Sequence, residues 1–501
     1  MRHIGILMLV FLTTSLLAAG VVYAQGHQWL DDPGQLGHYA IGHTNYLMFD
    51  KDRGDRPVFF SVWYPVDPKD VNASTPPAEY LTDPYTNLAP PTYWFWTAEP
   101  TNSTDWEALG YDRAYEGPKA SDDVPFPLVM VSPGMYTNNW QYIFVGTRLA
   151  SHGYVVAVLE QWADWEWDWS PLDDIWTMTL NRPLDVSFAI TQLLAKSRTP
   201  GELLFRTIDP ERIVASGHSL GGYSAYALAG GDNMVCDTLW VALEGMGTLP
   251  YPANTCVPIT RDRRVKALVA MEGASSVLHY RELARISVPS LILGETVDQL
   301  ETYFADGSWR DVNARPHAAI DREDSYRVDV NGANHMSFTD YCDAIQVFLN
   351  RGWFSPDDAI AWGQTSWPCA NTGWDPVTLS SAEEHTVVTK YMIAFLDTYF
   401  GGPDKNKWLD WWILTPEYAL THKPSVQFFD SEDCHSALPD HTYFTYRDYQ
   451  LSSVCEVAQK DPTGWFASPS TSASSNVVTP MILAPAPASG GPFRPLKQKP
   501  L

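Results

Sequence analysis

Three features of this sequence predict an α/β fold built on a mostly parallel central sheet. Short, predominantly apolar runs recur through the middle of the chain, at residues 126–131, 154–159, 212–216, 265–271 and 290–293. Runs of this length and continuity are strands buried on both faces. Helical patterns lie between them, at about 139–151 and 185–196, and strands alternating with helices give a parallel sheet covered on both sides. The third feature is Gly217-His218-Ser219-Leu220-Gly221, set between the strand at 212–216 and a run of small residues with helical character, 223–229.

The remaining elements follow in chain order. Residues from 25 onward open as a loop and reach an early strand at 57–65 that Pro65 stops. Residues 66–123 are rich in Pro, Asn, Thr, Trp and Asp with little periodicity, and read as a long insertion. A late strand is expected at 325–330. A helix follows at 383–400, capped by Ser380 or Ser381 with Glu383 or Glu384 completing the box, and Val388, Tyr391, Met392, Phe395, Leu396 and Tyr399 on its apolar face. Gly401-Gly402-Pro403 ends it. The expected domain is therefore 25–403, with an extension at 404–465 packed on it and a flexible tail rich in Pro, Ser and Ala at 466–501.

Residues 1–24 have a basic tip, an apolar run and small residues before Gln25, the pattern of a secretory signal peptide. The apolar stretch is short for a membrane anchor, so the expected location is secreted or periplasmic, with no stable transmembrane anchor. The six cysteines fall in three local pairs. Disulfides Cys236–Cys256, Cys342–Cys369 and Cys434–Cys455 are the expected pairing in an oxidising compartment. No pair has the spacing of a zinc ribbon, so no metal and no cofactor are expected. The formal net charge is −26 and no basic stripe offsets it, which excludes nucleic acid as a partner. Oligomeric state is not legible.

The glycine-flanked serine carries the chemistry. A G-x-S-x-G run between strand and helix is a nucleophile elbow, in which Gly217 and Gly221 keep side chains away from a crowded turn. Ser219 is then the nucleophile and needs a histidine base held by a carboxylate. His335, in a turn after the expected strand at 325–330, is the candidate base. His218 competes by adjacency, but neighbouring residues in the elbow point in different directions, so it reads as a structural or pocket residue. Asp298, after the strand at 290–293, is the favoured acid. Glu272, after the strand at 265–271, is the alternative, and Glu295 is a third option. Two backbone N–H groups must face the developing negative charge. Leu220 supplies one, and Met135, in the loop 132–136, the other. Tyr136, His218, Trp162 and Trp165 are candidate pocket residues. The Trp and acid alternation at 161–169 reads either as a lid or as cover for neighbouring core. Arg182 and Asp185 read as a pair bracing the site.

Several segments together carry a more specific likeness. They are Gly37-His38-Tyr39-Ala40-Ile41-Gly42, Arg56-Pro57 leading to Val62-Trp63-Tyr64-Pro65, Leu149-Ala150-Ser151-His152-Gly153-Tyr154, Arg182-Pro183-Leu184-Asp185-Val186 and the elbow itself. With these, residues 37–400 resemble the platelet-activating-factor acetylhydrolase-like branch of the α/β-hydrolases, near dienelactone hydrolases and cutinase-like polyesterases. The resemblance implies an α/β-hydrolase fold with insertions and a C-terminal extension. It implies Ser219 and His335 as nucleophile and base, with donors at Met135 and Leu220. Its branches differ on the acid: the acetylhydrolases point to the Glu272 region and the cutinase-like enzymes to Asp298. Glu stands where Asp is usual in the first branch, which favours Asp298. Ser132-Pro133-Gly134 also departs from the His-Gly of many relatives. The implied activity is a secreted serine carboxylic-ester hydrolase acting on a small-molecule or lipid ester, with short acyl groups preferred. A polyester or lactone hydrolase, or a non-catalytic binding protein on the same scaffold, are the alternatives.

Overall fold

The structure, a computed structural model, describes residues 32–80, 100–122, 125–135, 137–161, 171–231, 261–275, 278, 280–295, 302–303, 309–310, 313–320, 322–357, 359, 380–401, 407–421 and 426–429. One sheet of ten strands runs through the molecule. In chain order these are β1 (Ala40–Asp50), β2 (Arg56–Val66), β5 (Ala114–Glu116), β6 (Phe126–Ser132), β7 (Val155–Glu160), β8 (Ile208–His218), β9 (Val265–Met271), β10 (Ser290–Glu295), β13 (Ser325–Val330) and β14 (Val426–Phe429). Two small ladders pair β3 (Glu79–Tyr80) with β4 (Thr101–Asn102) and β11 (Thr302–Tyr303) with β12 (Trp309–Arg310). The spatial order of the large sheet is β14-β13-β10-β9-β8-β6-β7-β2-β1-β5. Strands β7, β6, β8, β9, β10 and β13 are mutually parallel, and β1–β2, β2–β7 and β13–β14 are antiparallel.

The apolar runs are continuous because both faces of the sheet are covered. Side chains alternate along a strand, so Val129 and Val131 of β6 enter one core while Leu128 and Met130 enter the other. The same split separates Ala267, Val269 and Met271 from Val265, Leu268 and Ala270 on β9. Helices α1 (Ile143–Ser151), α4 (Tyr341–Asn350) and α5 (Ser381–Phe400) cover the first face. Helices α2 (Pro171–Arg198) and α3 (Leu220–Ala229) cover the second. Each fully buried Val or Leu contributes about 1.5–3 kcal/mol on removal from water.

The strand order places the site. From β6 the chain crosses to β7 on one side, then returns to β8 on the other, so the loops leaving β6 and β8 diverge. A crevice opens at the carboxyl ends of such a pair, where ligands of open α/β sheets bind. The architecture is the α/β-hydrolase fold with extra strands and helices beyond its core.

Several elements differ from the sequence expectation. The opening loop contains β1, which pairs with β2 from Ala40 opposite Val66 to Asp50 opposite Arg56. It is half-buried along much of its length, so it shows no continuous apolar run. Strand β2 passes Pro65 and ends at Val66. Helix α2 begins at Pro171 rather than near 185 and runs through Pro183. The missing N–H of Pro183 costs one helical bond, and Val186, Ala189, Ile190 and Leu193 still hold the helix on the sheet. Helix α5 is capped by Ser380 and Glu383 in a reciprocal box. Residues 66–123 hold β3, β4, β5 and a short helix, Ser103–Glu107, with a capping box of Asn102 and Asp105. Beyond α5, β14 joins the large sheet against β13.

The expected framework of three local disulfides is corrected. No complete bridge is found among the described residues. Cys342 is disulfide-bonded and no described cysteine is free, but Cys236, Cys256, Cys369, Cys434 and Cys455 all lie outside the described residues. Residues 1–31 and 430–501 lie outside them too. Among the described residues no helix is long and apolar enough to cross a membrane.

Candidate active site

Strand β8 ends in a turn that only small residues permit. Ser219 has φ 54° and ψ −121°, a left-handed backbone that a non-glycine residue adopts at a cost of about 1–3 kcal/mol. The turn is held from outside. Ser219 N–H donates to Met271 O (3.0 Å), and Gly222 and Ala274 N–H donate to Ser219 O (2.9 and 2.8 Å). A Cβ on Gly217 would fall 2.2 Å from Gly221 O, and one on Gly221 would fall 1.9 Å from Ser132 O. The glycines therefore allow β8, α3 and the end of β6 to close on one another. Ser219 is half-buried while His218 and Leu220 on either side are buried, so the serine is the part of the turn that solvent reaches.

The loop after β6 lies over the elbow. An added Cβ on Gly134 would sit 3.3 Å from Ser219 Cβ. Gly134 N–H donates to the Tyr142 hydroxyl (2.8 Å), and Gly134 O accepts from Thr137 Oγ1 (2.9 Å). Arg182, wholly buried on α2, donates through Nη1 to Pro133 O and through Nη2 to Gly134 O (2.8 Å). Asp185 binds elsewhere, with Oδ1 2.7 Å from Arg53 Nη2 and 2.8 Å from Arg56 Nε. The expected Arg182–Asp185 pair is thus corrected, since the structure gives each residue its own partners. Farther along, Glu160 at the end of β7 accepts from Asn138 Nδ2 and Asn139 N–H, both at 2.9 Å, and ties the segment to the sheet. Among the described residues, the N–H groups of Met135 and Leu220 donate to no acceptor. Leu220 opens α3, where the first N–H groups have no helical partner.

His335 follows β13 and starts a short 3₁₀ turn, His335–Phe338, capped by Asn334. Its ring stands 4.5 Å from that of His218, centroid to centroid. His218 Nε2 lies 3.0 Å from His335 O, an acceptor, so Nε2 carries the proton. Nδ1 then accepts from the Tyr142 hydroxyl at 3.0 Å. Both ring nitrogens of His218 are committed to structure. Together Gly134, Tyr142, His218 and His335 form a hydrogen-bonded line joining the β6 loop to the β13 loop. Burial pushes His218 down to about 3. Burial, with the neighbouring His218 ring acting in the same direction, holds His335 well below the usual histidine range, so its imidazole is neutral at pH 7.

Glu272 follows β9, one strand from the elbow. It is buried, with φ +46°, and its N–H donates to Leu293 O (2.8 Å). Its Oε1 accepts from Glu295 N–H (3.0 Å) and from Asn313 Nδ2. Its Oε2 has no hydrogen-bond partner among the described residues. Glu295 is also buried, and a Cβ at Gly294 would touch the Asp329, Asn313 and Glu272 side chains. Asp329 is held by Arg327 through Nε (3.0 Å) and Nη2 (2.6 Å), both residues buried. Among the described residues no group of His, Cys, Asp or Glu is placed to hold a metal ion.

Residues 26–164 match the family described as platelet-activating factor acetylhydrolase, isoform II. The chain is an α/β-hydrolase related to that family. The match ends before the elbow, so it covers the β6 loop and not Ser219. No curated protein matches the chain. Among solved structures it is similar to a ferulic acid esterase from Streptomyces cinnamoneus, with 21% identity over 78% of this chain and 97% of that one, at a TM-score of 0.42.

In this acetylhydrolase-related chain, Ser219, His335 and the Met135 and Leu220 amides all lie at or just beyond the carboxyl ends of β6, β8 and β13. Asp298, Tyr136, Trp162 and Trp165 lie outside the described residues. Tyr142 and the carbonyl-directed role of Arg182 escape a reading of the sequence. Tyr142 carries no motif, and its partners Gly134 and His218 are 8 and 76 residues away.

Proposed function

We propose that this hydrolase is a secreted serine carboxylic-ester hydrolase acting on small esters with short acyl groups. Ser219 Oγ attacks the ester carbonyl while His335 takes its proton. The carbonyl oxygen, now negative, is received by the Met135 and Leu220 N–H groups. His335 returns the proton to the leaving alcohol, and water, deprotonated by the same imidazole, releases the acid and restores Ser219. A neutral His335 is ready to accept a proton without prior titration. The observation that carries the reading is a strained, half-buried serine near two backbone N–H groups, at Met135 and Leu220, that donate to no acceptor among the described residues.

Asp298 is the proposed acid that orients His335. A second reading, Glu272, is favoured by its burial, its left-handed backbone and its open Oε2. Export rests on residues 1–24. The test is turnover of p-nitrophenyl esters of graded acyl length, with fluorophosphonate labelling. Ser219→Ala is expected to fold normally and to lose ester turnover and labelling, several orders of magnitude in kcat. Wild-type-like turnover by that variant would remove Ser219 from the mechanism. A folded wild type that neither labels nor turns over would leave a binding protein on the hydrolase scaffold.

A further inference from the structure

Resting on the serine-hydrolase reading, we propose that Arg182 is a positioning residue for the oxyanion donor at Met135. It acts through the single peptide plane that the two groups share. The N–H of Met135 belongs to the same amide as the carbonyl of Gly134. In a trans peptide the two lie in one rigid plane and point in opposite directions within it. Whatever holds the Gly134 oxygen therefore aims the Met135 hydrogen. Three groups hold that oxygen: Arg182 Nη2 at 2.8 Å, Thr137 Oγ1 at 2.9 Å and Thr137 N–H at 3.3 Å. The same guanidinium reaches back to Pro133 O, so its planar fork spans two successive carbonyls. The Gly134 N–H is separately fixed by the Tyr142 hydroxyl. The polar groups around the Gly134–Met135 peptide are thus occupied, except the Met135 N–H.

Charge adds to geometry. A cation at the carbonyl end of an amide draws electron density from its nitrogen and strengthens the N–H as a donor, as hydrogen bonds in a chain polarise one another. Arg182 is wholly buried, where its field is weakly screened. The Met135 amide is therefore both aimed and polarised before substrate arrives. That favours the anionic transition state over the neutral ester, and so acts on kcat more than on KM. Lysine cannot replace it, because one ammonium on a flexible stem does not span two adjacent carbonyls in a fixed plane.

The test uses full-length protein, p-nitrophenyl acetate and a phenylboronic acid, whose serine adduct mimics the anionic intermediate. Arg182→Lys is expected to lower kcat about 10²-fold, within the range for losing one oxyanion donor. KM should stay within about threefold, and boronate affinity should fall in proportion to kcat/KM. Thr137→Val keeps the side-chain volume and removes a second bond to the same oxygen. It should shift kcat and boronate affinity along the same line by about tenfold, and it decides the matter if the Arg182 variant does not fold. A role confined to stability would lower the unfolding temperature and leave both quantities unchanged. That outcome, or wild-type kcat in a folded Arg182→Lys, overturns the inference. Loss of Ser219 labelling in the wild-type protein would instead overturn the catalytic reading beneath it.

Discussion

At the ends of β6 and β8 the backbone closes on itself because side chains are missing. Gly217 and Gly221 let Ser132 and the start of α3 approach to distances that a single methyl group would forbid, and Gly134 keeps the β6 loop tight against Ser219. One to three strands from the elbow, at the ends of β9, β10 and β13, the opposite solution is used. There Glu272, Glu295, Arg327, Asp329 and Asn313 fill the space with buried polar side chains. The first region stores its precision in shape and the second in charge. The two should therefore fail differently: the elbow when an atom is added, the polar end when a partner is removed.

The acid assignment is the sharpest cut across this comparison, because its two candidates differ in how they relate to the polar end. Asp298→Asn is expected to lower kcat about 10⁴-fold with folding unchanged, the loss that follows when a triad acid no longer orients its histidine. Glu272→Gln should lower kcat less than about tenfold and act mainly on stability, through its bonds to Glu295 and Asn313. Steady-state kinetics with parallel unfolding curves decide between them. Reversed costs would move the acid into the buried cluster.

Within the polar end, Asp329→Asn withdraws the bidentate partner of a buried guanidinium and should destabilise the fold by about 3–5 kcal/mol. Replacing both partners, Arg327→Met with Asp329→Leu, should recover most of that loss, since a buried ion pair is often exchangeable for apolar packing. Urea unfolding of the three proteins measures the difference, and a double variant no better than the single would show that the charge itself is needed. No such rescue exists at the elbow. Gly221→Ala puts a methyl group against the Ser132 and Pro133 carbonyls and should cost about 3 kcal/mol or more. A Gly221→Ala protein within about 1 kcal/mol of wild type would mean the turn relaxes far more than its contacts indicate.

The remaining effects come from pH. His218 is pushed down to about 3 and His335 well below the ordinary range, so the unfolded chain takes up these protons first. Their contribution to stability is present above about pH 6.5 and is lost as pH falls from there towards 3. Glu384, beside Ser337 in the His335 turn, is raised to about 8 by burial. Its contribution is present below about pH 4.5 and is lost as pH rises through 8. Thermal unfolding across pH should show both slopes, and Glu384→Gln should flatten only the alkaline one. An unchanged alkaline slope in that variant would show that Glu384 titrates normally.

What could be read from the sequence follows the same division. The elbow was legible because a left-handed serine between close-packed strands demands glycine at fixed offsets. The parallel core was legible because burial on both faces leaves unbroken apolar runs. Strand β1 was not, since its half-buried pattern lacks such a run. The polar end is hardly legible either: Glu272 and Glu295 show in the sequence only as carboxylates following strands, and Asn313 joins Glu272 across 41 residues with no local signature. Arg182 and Asp185 are three apart on a helix, a spacing that invites a pair. Tertiary partners won instead, the carbonyls of Pro133 and Gly134 for one and Arg53 with Arg56 for the other.

Strand β14 has a consequence beyond topology. Its four residues lie along the outer side of β13, from Val330 opposite Val426 to Arg327 opposite Phe429. Without it, β13 would present a row of unpaired amides and carbonyls to any other chain, and such an edge is a template for strand-to-strand self-association. A protein cut after α5 would keep Ser219, His335 and the β6 loop, yet carry an adhesive margin. Its failure in concentrated solution would be clumping before any loss of the catalytic crevice.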